Sequence, residues 1–492
     1  MDYMLLLPIL FPSLVALFTL VIKKKFSDRG FRTIYVGVVL VVTFLLNLYA
    51  IFNFNELTLF KLTESLPIRL KVDELTYLFN ILVTVMWLLA GIFSFEYMKH
   101  EDNNESFYLF YLLTESVLLA LGMAANFLTL YLFYEFMTFL SLPLALHTRT
   151  KEAINGGLKY LFYSVFGASL ALVGFFFMTQ YGSIDFVAGG NLSAYKVIGH
   201  EQLLLKVFFF TILGFSVKAG MFPFHAWLTA AHPVAPAPAS AVLSGIITKA
   251  GVLAIIRVIY YQAGIDFLRG TWVQQAFMIL TLITVFMGSM MAFKEKVLKK
   301  RLAYSSVSQV SYVLFGLSTM TVVGFVGALL QVVFHSIAKN LLFMSAGAII
   351  YREHKTNVDE LKGIGKNMPI VMWCFTIGGL ALVGIPPLTG FVSKWYLSMG
   401  SLEATGVSAV LSYLGPVILL TSALLTAGYL VTISIDAFIP GADFDYKKVK
   451  KTEPNKYMTI PLVLLSAACV ICGTFATPLI NYFTNIAKLI IK

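Results

Sequence analysis

The chain has 492 residues, of which 59% are hydrophobic and only 12% are charged, and its formal net charge at pH 7 is +11. A soluble domain needs more polar surface than this to cover its core, so the composition excludes a soluble domain and favours a polytopic membrane protein. The basic residues lie mainly in short loops, where they orient a membrane protein and attract anionic lipid, so nucleic acid is not an expected partner.

Long apolar runs recur along the whole chain and predict helices rather than a barrel, because a bilayer core takes about 20 apolar residues of helix. About fourteen spans are predicted. In chain order they are 3–22, 33–54, 74–97, 107–124, 126–147, 155–180, 203–232, 239–262, 271–293, 302–319, 322–351, 370–402, 408–438 and 457–486. The first span lacks the basic segment and cleavage site of a signal peptide, so we interpret it as a retained helix.

Lysine and arginine are concentrated in the connections that follow odd-numbered spans. The main basic stretches lie at 23–32, 149–159, 294–301, 352–366 and 447–456. The positive-inside rule places these connections in the cytoplasm, so both chain termini are predicted to lie outside. We interpret the membrane as a bacterial or archaeal plasma membrane.

The sequence gives little sign of redox or metal chemistry on this chain. Cys374, Cys469 and Cys472 all lie inside apolar spans, and the last two form a single CxxC pair, which supplies half the thiolates of an iron–sulfur cluster. The sequence has no dinucleotide-binding glycine signature, no P-loop and no HExxH motif. We therefore expect no catalytic residue, bound cofactor or metal site on the chain itself.

A short set of ionisable side chains remains inside the spans. A Lys or Glu at the centre of a helix costs roughly 2.5–3.5 kcal/mol on insertion scales, so each one needs a partner, water or a neutral form. The set is Glu135, Lys218, His225, Lys249, Arg257, His335, Lys339 and Lys394, with Glu115 and His147 nearer the span ends.

Two spans are predicted to break in mid-membrane. Pro223 interrupts span 203–232 and the pair Pro386 and Pro387 interrupts span 370–402, because proline removes a helix hydrogen bond. Such breaks are tolerated where they line a cavity or are buried in protein, and paired breaks point to an ion site. His225 and His232 flank the first break, and the stretch HPVAPAPAS that begins at His232 predicts an extended crossing into the next helix.

His335 and Lys339 are four residues apart and therefore share one helix face. Histidine changes charge most readily near neutral pH, and a desolvated lysine can approach that range. This spacing predicts a proton relay between the two side chains, directly or through one water. A lone buried histidine more often has only a structural role.

Five stretches of the sequence together resemble one membrane-protein family. They are LFYEFMTFLSLPL, VKAGMFPFHAWLTAAHPVAPAPASAVLSGIITKAG, RLAYSSVSQVSYVLFGL, FHSIAKNLLF and GIPPLTGFVSKWYL, and they fall between about residues 107 and 438. They resemble the proton-translocating module that is shared by antiporter-like subunits of complex I, Mrp-type cation/proton antiporters and membrane-bound energy-converting hydrogenases.

The resemblance implies roles for six residues. Glu135 and Lys218 would form a charge pair, Lys249 would follow it, His335 and Lys339 would form the relay, and Lys394 would be the terminal lysine. It also implies an all-α fold with two inverted five-helix repeats, each with a broken helix. The implied domains are helices 1–3 at 1–106, the first repeat at 107–262, the second at 263–438, and a loop with the last helix at 439–492.

The expected function is proton translocation by an antiporter-like membrane subunit of a multisubunit complex. In this family, the largest complex I member carries a long lateral helix after its fourteenth span, and this sequence shows no such extension. The resemblance is therefore closer to the D-type Mrp subunit or its hydrogenase counterparts. The resemblance implies sister membrane subunits and a cytoplasmic electron-transfer arm, whose own subunits would hold iron–sulfur clusters, a NiFe centre or flavin. Coupling to sodium is left open. A stand-alone transporter of a small solute and a structural subunit that has lost pumping are the alternatives.

Overall fold

The computed structural model describes residues 3–442 and 444–491 and is almost entirely helical, which confirms the all-α class. Its first six major helices precede the first break. They are α1 (Leu7–Val21), α2 (Arg29–Asn53), α3 (Glu74–Tyr97), α4 (Asn104–Gly122), α5 (Phe127–Ala145) and α6 (Lys151–Tyr181). Each is rich in Leu, Phe, Val and Ala, which suits an apolar environment.

The remaining helices include both broken segments. They are α7 (Glu201–Ala219), α8 (Ala226–Val234), α9 (Ala237–Ala263), α10 (Trp272–Lys294), α11 (Leu298–Ser318), α12 (Val322–Glu353), α13 (Pro369–Val383), α14 (Thr389–Leu402), α15 (Ala409–Phe438), α16 (Lys456–Thr474) and α17 (Thr477–Ile490). Within the described residues α9 is completely buried and α12 largely so, which places these two helices at the centre of the molecule.

The predicted number of fourteen spans is not confirmed. Among the described residues, twelve helices are long and apolar enough to cross a membrane by length and composition. The predicted span 302–319 forms α11, which is rich in serine and begins with basic residues but is almost wholly buried among other helices. Burial in protein relieves α11 of the need for an apolar surface.

The prediction of one continuous last span at 457–486 is wrong. The chain forms α16 and then α17, with Phe475 and Ala476 between them. Pro478 occupies the first turn of α17, where its missing N–H costs nothing, and it cannot continue the hydrogen-bond ladder of α16.

A short antiparallel hairpin, absent from the predicted elements, lies between α2 and α3. Its strands are β1 (Glu56–Lys61) and β2 (Pro67–Lys71). Arg69 on β2 forms ion pairs with Glu56 on β1 and with Asp185 in the loop after α6, the latter at 3.0 Å. The hairpin therefore ties the loop after α6 to the same end of the molecule.

Both predicted helix breaks are present. The helix α7 ends at Gly220 with φ +79°, and α13 ends at Gly384 with φ +90°; in each break the third residue after the glycine is a cis proline, Pro223 or Pro387. Left-handed glycine is a common helix terminator because it carries no Cβ. The two breaks therefore share one local design in different parts of the chain.

The extended crossing predicted for HPVAPAPAS is shorter than expected. The helix α8 continues through His232 and Pro233 to Val234, and α9 already begins at Ala237. Pro238 lies in the first turn of α9, where a helix tolerates proline. Only Ala235 and Pro236 remain extended, so His232 is held on a helix.

An ion pair joins the start of α3 to the end of α9. The Arg257 guanidinium binds Asp73 through two hydrogen bonds, 2.5 Å from Nη1 to Oδ2 and 3.0 Å from Nη2 to Oδ1. The Arg257 side chain is only 3% exposed and its guanidinium lies 4.6 Å from the centre of the Tyr261 ring. Arg257, one of the ionisable residues noted in the spans, therefore has a structural partner at the membrane boundary.

We predict that Asp73→Asn lowers the free energy of unfolding by about 3 kcal/mol, because it leaves a buried guanidinium without a counter-charge. Burial raises the pKa of Asp73, but Arg257 and the donors of Thr76 lower it by more, so the net pKa lies below the usual range. The stabilisation is then present at neutral pH and lost as the pH falls through that lowered value. Thermal unfolding at neutral and acid pH measures both effects.

The control for this change is Asp266→Asn. The Asp266 carboxylate is 89% exposed and lies 3.9 Å from Arg269, so its removal should change the unfolding midpoint very little. Equal shifts for the two variants would contradict a special role for the Asp73–Arg257 pair.

Candidate functional site

The six residues singled out in the sequence lie on five helices that meet around the molecular centre. Lys218, Lys249, His335 and Lys339 are each no more than 1% exposed. Glu135 and Lys394 are half-buried. Because lysine is seldom fully buried in proteins, three such lysines in one core mark this region as a candidate functional site.

Lys218 lies in the last turn of α7, just before the first break. Its Nζ donates hydrogen bonds to three hydroxyl oxygens: Thr138 Oγ1 at 3.0 Å, Tyr160 OH at 2.9 Å and Ser164 Oγ at 2.8 Å. The Tyr160 ring centre lies 4.2 Å from the same nitrogen. The ammonium group therefore has three donors satisfied without direct contact with a carboxylate.

The predicted charge pair of Glu135 and Lys218 is not a contact in the described structure. Lys218 binds the hydroxyl of Thr138, one turn further along α5 than Glu135. Oε1 of Glu135 is buried without a hydrogen-bond partner among the described residues, although the Glu135 and Lys218 charges are close enough to interact electrostatically. The hydroxyls of α5 and α6 occupy the positions around the ammonium that the pair would need.

Lys249 and His335 form the closest contact between two of the predicted residues. Nζ of Lys249 lies 2.7 Å from Nδ1 of His335 and donates to the carbonyl oxygen of Ser244 at 2.8 Å. Lys249 lies between two π-helical segments of α9, Leu243–Ile247 and Arg257–Ala263. The wider turns alter the helix on both sides of the lysine, and such π segments are frequent at functional sites.

Lys339 does not hydrogen-bond to His335, although the two share a face of α12. Its Nζ donates to Ser305 Oγ at 2.7 Å and to the carbonyl oxygen of Leu302 at 3.0 Å, both on α11. Nδ1 of His335 contacts Lys249 and its Nε2 is buried without a partner in the described structure. The relay predicted between His335 and Lys339, directly or through one water, has no direct hydrogen bond in the described structure, and the direct contact of His335 is with Lys249.

The two histidines near the first break have different surroundings. His225 is half-buried beside the break, and its ring centre lies 6.5 Å from that of Tyr304. His232 is fully buried, both of its ring nitrogens lack partners among the described residues, and its ring centre lies 4.9 Å from that of Phe343. Lys249, Lys299 and Lys339 are close enough to His232 to interact with it electrostatically. His232 thus belongs with the lysine cluster rather than with the break.

Lys394 caps the half-helix on the other side of the second break. From α14 its Nζ reaches back to the carbonyl oxygens of Leu382 and Val383, each at 2.6 Å, at the end of α13. These carbonyls have no partner within their own helix, and the negative end of the helix dipole also favours a cation there. Lys394 is therefore held by the break that Pro386 and Pro387 create.

The first break satisfies its backbone groups with neutral side chains. Trp227 Nε1 donates to the carbonyl oxygen of Val217 at 2.7 Å, and Thr284 Oγ1 accepts from the N–H of Phe222 at 3.1 Å. The indole of Trp227 thus donates to one carbonyl near the end of α7, whereas the Lys394 ammonium donates to two at the end of α13. Pro223 thus ends α7 beside Lys218, and the lysine itself remains directed at hydroxyls.

Two other ionisable residues lie away from this cluster. Glu115 on α4 is fully buried, and neither carboxylate oxygen has a hydrogen-bond partner among the described residues. His147 follows the end of α5, outside the span, and burial lowers its pKa. Neither residue has a hydrogen bond to Lys218, Lys249, Lys339 or Lys394 in the described structure.

Sequence reasoning missed the hydroxyl groups that hold the lysines. Thr138, Tyr160, Ser164 and Ser305 carry no sequence signal of their own, because serine, threonine and tyrosine are common in membrane helices. Ser305 lies in the stretch RLAYSS, which was noted only for its family resemblance. The packing of α5 and α6 against α7 brings Thr138, Tyr160 and Ser164 to Lys218. The packing of α11 against α12 brings Ser305 to Lys339.

The chemistry available to this cluster is transfer of protons among amines, an imidazole and hydroxyls. Within residues 3–442 and 444–491, no group of three or more His, Cys, Asp or Glu side chains could hold a metal ion. Cys374, Cys469 and Cys472 are free thiols. The described side chains therefore supply acid–base groups, arranged from α5 through to α14.

We predict that Ser164→Ala lowers the free energy of unfolding by about 2 kcal/mol, because a buried ammonium loses one of its three hydrogen-bond acceptors. Thermal unfolding of the purified protein tests this. Ser169→Ala is the matched control on the same helix, since the exposed Ser169 hydroxyl bonds only the carbonyl oxygen of Val165 in its own helix. Similar unfolding midpoints for the two variants would show that Ser164 does not stabilise Lys218.

Two family models match the chain. The model described as NADH:quinone oxidoreductase/Mrp antiporter, TM, matches residues 124–420, and the model described as NADH-Ubiquinone oxidoreductase (complex I), chain 5 N-terminus, matches residues 62–108. The first match covers more than half of the chain and contains all six residues of the cluster.

Curated relatives and solved structures agree with these matches. The chain is 31% identical to hydrogenase-4 component B of Escherichia coli strain K12 over 86% of this chain, and it spans 65% of that protein's length. It is 28% identical to the D-type subunit of the Na(+)/H(+) antiporter of Alkalihalophilus pseudofirmus, covering 100% of this chain and 98% of that one.

A chain from the archaeal membrane-bound sulfane sulfur reductase shares the fold, with a TM-score of 0.84 at 22% identity over 99% of this chain and 98% of that chain. The resemblance seen in the sequence is thereby confirmed. This chain belongs to the family of antiporter-like membrane subunits described as NADH:quinone oxidoreductase/Mrp antiporter.

Proposed function

We propose that this chain moves protons through the membrane as an antiporter-like subunit of a multisubunit complex. The observation that carries the proposal is the set of buried amines on neighbouring helices, with Lys249 in direct contact with His335 at 2.7 Å. An amine that is buried next to an acceptor can release and recover a proton at little cost, because its charged form gains less from the protein than it would from water.

The order of the helices gives the proposed path. Lys218 begins it beside the first break, Lys249 and His335 follow at the centre, Lys339 is next, and Lys394 ends it at the second break. His232, which faces Lys249 and Lys339 with both ring nitrogens unpaired among the described residues, can exchange protons with this central group. Two positive charges close together in a core repel each other, so protonation of one lysine lowers the proton affinity of the next.

Glu135 is proposed as the group that sets the charge of Lys218. An ionised Glu135 stabilises the protonated lysine through the electrostatic interaction between them, and a neutral Glu135 removes that stabilisation. The Lys218 ammonium already binds Thr138 on the same helix as Glu135, so a small shift of α5 would change both this hydrogen bond and the distance from Glu135 to Lys218. Protonation of Glu135 would then favour release of a proton from Lys218 toward Lys249 and His335.

The second break is proposed to act as the exit gate. While Lys394 is protonated, its ammonium satisfies the carbonyl oxygens of Leu382 and Val383. Loss of the proton removes the charge that complements these oxygens and the end of the helix dipole. Deprotonation of Lys394 therefore favours a change in the geometry of the break, with Pro386 and Pro387 fixing where it bends. Pro223 and His225 have the corresponding place at the first break.

The proposed domain division keeps two five-helix repeats, 107–262 and 271–438, within the domains 107–262 and 263–438, flanked by 1–106 and 439–492. What supports it is the pair of similar breaks, Gly220 with Pro223 and Gly384 with Pro387, one in each proposed repeat. The two breaks present their lysines differently, since Lys218 precedes its break and Lys394 follows it.

Sister membrane subunits are the proposed partners, since relatives of this chain are named as subunits or components of antiporter, hydrogenase and quinone oxidoreductase complexes. A cytoplasmic electron-transfer arm with iron–sulfur, NiFe or flavin groups would suit a redox-driven complex, and coupling to sodium would suit an Mrp-type complex. We place the protein as a multi-pass protein in a plasma membrane, with both termini outside, on the distribution of its basic loops.

A solute transporter has less support. One cavity of about 530 Å³ is large enough for a small solute, but its lining is apolar and contains none of the buried lysines. The lysines are instead in contact with hydroxyls, carbonyls and an imidazole, as a path for protons requires.

The first experiment measures proton movement in inverted vesicles that carry the native complex. We expect Lys218→Ala and Lys394→Ala to lower it by about 100-fold, because each removes an acid–base group from the path. Lys362→Ala, at an exposed loop position, is the matched control and should leave it unchanged. Full proton movement in both lysine variants, with normal assembly, would refute the proposed function. Residual sodium movement would place a sodium path elsewhere.

A second prediction concerns the gate at Lys394. A Cβ at Gly384 would lie 3.0 Å from Cδ and 3.3 Å from Nζ of Lys394, so Gly384→Ala should displace the ammonium and reduce proton movement several-fold. The left-handed backbone adds a cost of roughly 1–2 kcal/mol. Gly189→Ala is the control, because Gly189 has the same φ of +90° and open space around its Cβ position. Equal transport in the two variants would exclude a gate that depends on Lys394 placement.

A further inference from the structure

A cavity at one end of the molecule lies apart from the buried lysines. It has a volume of about 420 Å³ and is formed where α4 begins, α5 ends and α6 begins. None of the six residues of the cluster lines it. The basic stretch 149–159, which the proposed function uses only to orient the chain, contains the start of α6 beside this cavity.

Polar side chains line the cavity near the helix ends. They are Asn103 and Ser106 at the start of α4, and His147 and Arg149 between α5 and α6. His147 is only 7% exposed, and its Nε2 is buried without a hydrogen-bond partner in the described structure. A buried polar atom without a partner is unfavourable unless a bound molecule supplies a hydrogen bond. This end of the cavity therefore has an unsatisfied polar group in its wall.

The same end of the cavity carries positive charge. Arg149 is exposed, and Lys151 shares a face of α6 with the lining residues Ile154 and Leu158, which lie three and seven residues further along. Glu152 lies two residues before Ile154 and therefore on another face. The first turn of α6 adds N–H groups without partners in the helix and the positive end of the helix dipole. An anion is therefore favoured at this end.

Other nearby carboxylates do not cancel this charge. Glu105 accepts a hydrogen bond from Ser27 Oγ at 2.5 Å and lies 3.8 Å from Lys23 Nζ. Asp102 is close enough to His147 to interact with it electrostatically, but it does not line the cavity. The charged side chain in the lining is thus a guanidinium.

The deeper part of the cavity is apolar and opens to the outside of the helix bundle. Its lining there consists of Phe110, Pro143, Leu146, Ile154 and Leu158. Ile154 and Leu158 are 46% and 55% exposed, and Phe162, one turn further along α6, is 71% exposed. In a membrane helix such a row faces lipid, so an apolar chain that begins in the cavity can continue along α6.

A phospholipid matches both parts of the cavity. Its phosphate suits the guanidinium of Arg149, because arginine and phosphate can form two parallel hydrogen bonds. Its acyl chain suits the apolar row on α6. A free phosphate matches only the charged end and would leave most of the cavity empty, since liquid water takes only about 30 Å³ per molecule.

We propose that this cavity binds one phospholipid, with its phosphate at Arg149, its headgroup at His147 and an acyl chain along Leu158. A neutral imidazole nitrogen either donates or accepts, so Nε2 can bond to a phosphate oxygen or to a headgroup hydroxyl or amine. Basic pockets between membrane helices commonly bind lipid headgroups. The site shares no residue with the proposed proton path, so this inference goes beyond the proposed function and does not depend on it.

The test uses the native complex in a detergent that contains no phosphate. Phosphatidylglycerol with a photoreactive diazirine in one acyl chain is added, and mass spectrometry locates the labelled peptides after illumination. We expect label in segments 103–110 and 143–158 well above the label at Leu420 and Leu424 on α15. These two residues are 65% and 67% exposed, so they report random contact with lipid.

Arg149→Gln should lower the label in segment 103–110 by about tenfold, because it removes charge-assisted hydrogen bonds to the phosphate. Lys159→Gln is the matched control on α6, since Lys159 is exposed and lies outside the lining, and it should leave the label unchanged. Leu158→Asn places a polar group at the apolar end and should lower the same label several-fold.

Each other outcome overturns the proposal. Equal label in Arg149→Gln and Lys159→Gln would show that the phosphate does not bind Arg149. Label no higher than that at Leu420 and Leu424 in the unsubstituted complex would show that another subunit covers the cavity or that lipid does not enter it. Loss of the label in excess inorganic phosphate would identify a free anion as the ligand.

Co-purification of the partner subunits measures assembly of each variant. If Arg149→Gln prevents assembly, Leu158→Asn decides alone, and unchanged label in segment 103–110 then overturns the proposal. Proton movement in vesicles tests the proposed function separately, so the two can fail independently.

Discussion

The cost of holding a positive charge in a low-dielectric core is the constraint on which the rest of this structure depends. Four lysines lie within or beside that core. Lys218, Lys339 and Lys394 bind oxygens of neighbouring helices, and Lys249 binds a carbonyl of its own helix and the His335 imidazole. Three hydroxyls hold Lys218, and two terminal carbonyls hold Lys394. Because neutral oxygens only partly replace water, the lysines remain able to give up a proton, which a strong carboxylate pair would prevent.

Buried charge is treated differently where it has a structural task. Arg257 is paired directly and in two places with Asp73, and Arg69 binds two carboxylates near the same end of the molecule. Arginine stays charged under all ordinary conditions and does not release a proton, so a tight ion pair with a carboxylate does not interfere with proton transfer. Carboxylates therefore hold Arg257 and Arg69, whereas the buried lysines bind hydroxyls, carbonyls and an imidazole.

The broken helices supply oxygens as well as flexibility. In a continuous helix the backbone carbonyls accept hydrogen bonds from the next turn, whereas the last carbonyls of α13, before Gly384, have no such donor and accept from Lys394. At the first break Trp227 donates to the carbonyl of Val217, and Lys218 binds hydroxyls of α5 and α6. Two similar breaks thus give two different lysine environments, at the two ends of the proposed path.

The sequence by itself determined the membrane class, the two breaks, the family and which ionisable residues lie inside apolar spans, because apolar runs, prolines and charges are properties of single segments. It did not determine which of those residues touch. A charge pair of Glu135 with Lys218 and a relay of His335 with Lys339 were expected from the family resemblance and the helix spacing. The tertiary structure alone shows that Thr138 lies beside Lys218 and that Lys249 lies beside His335. Contacts between helices depend on how distant segments rotate and pack, and no local pattern encodes that rotation.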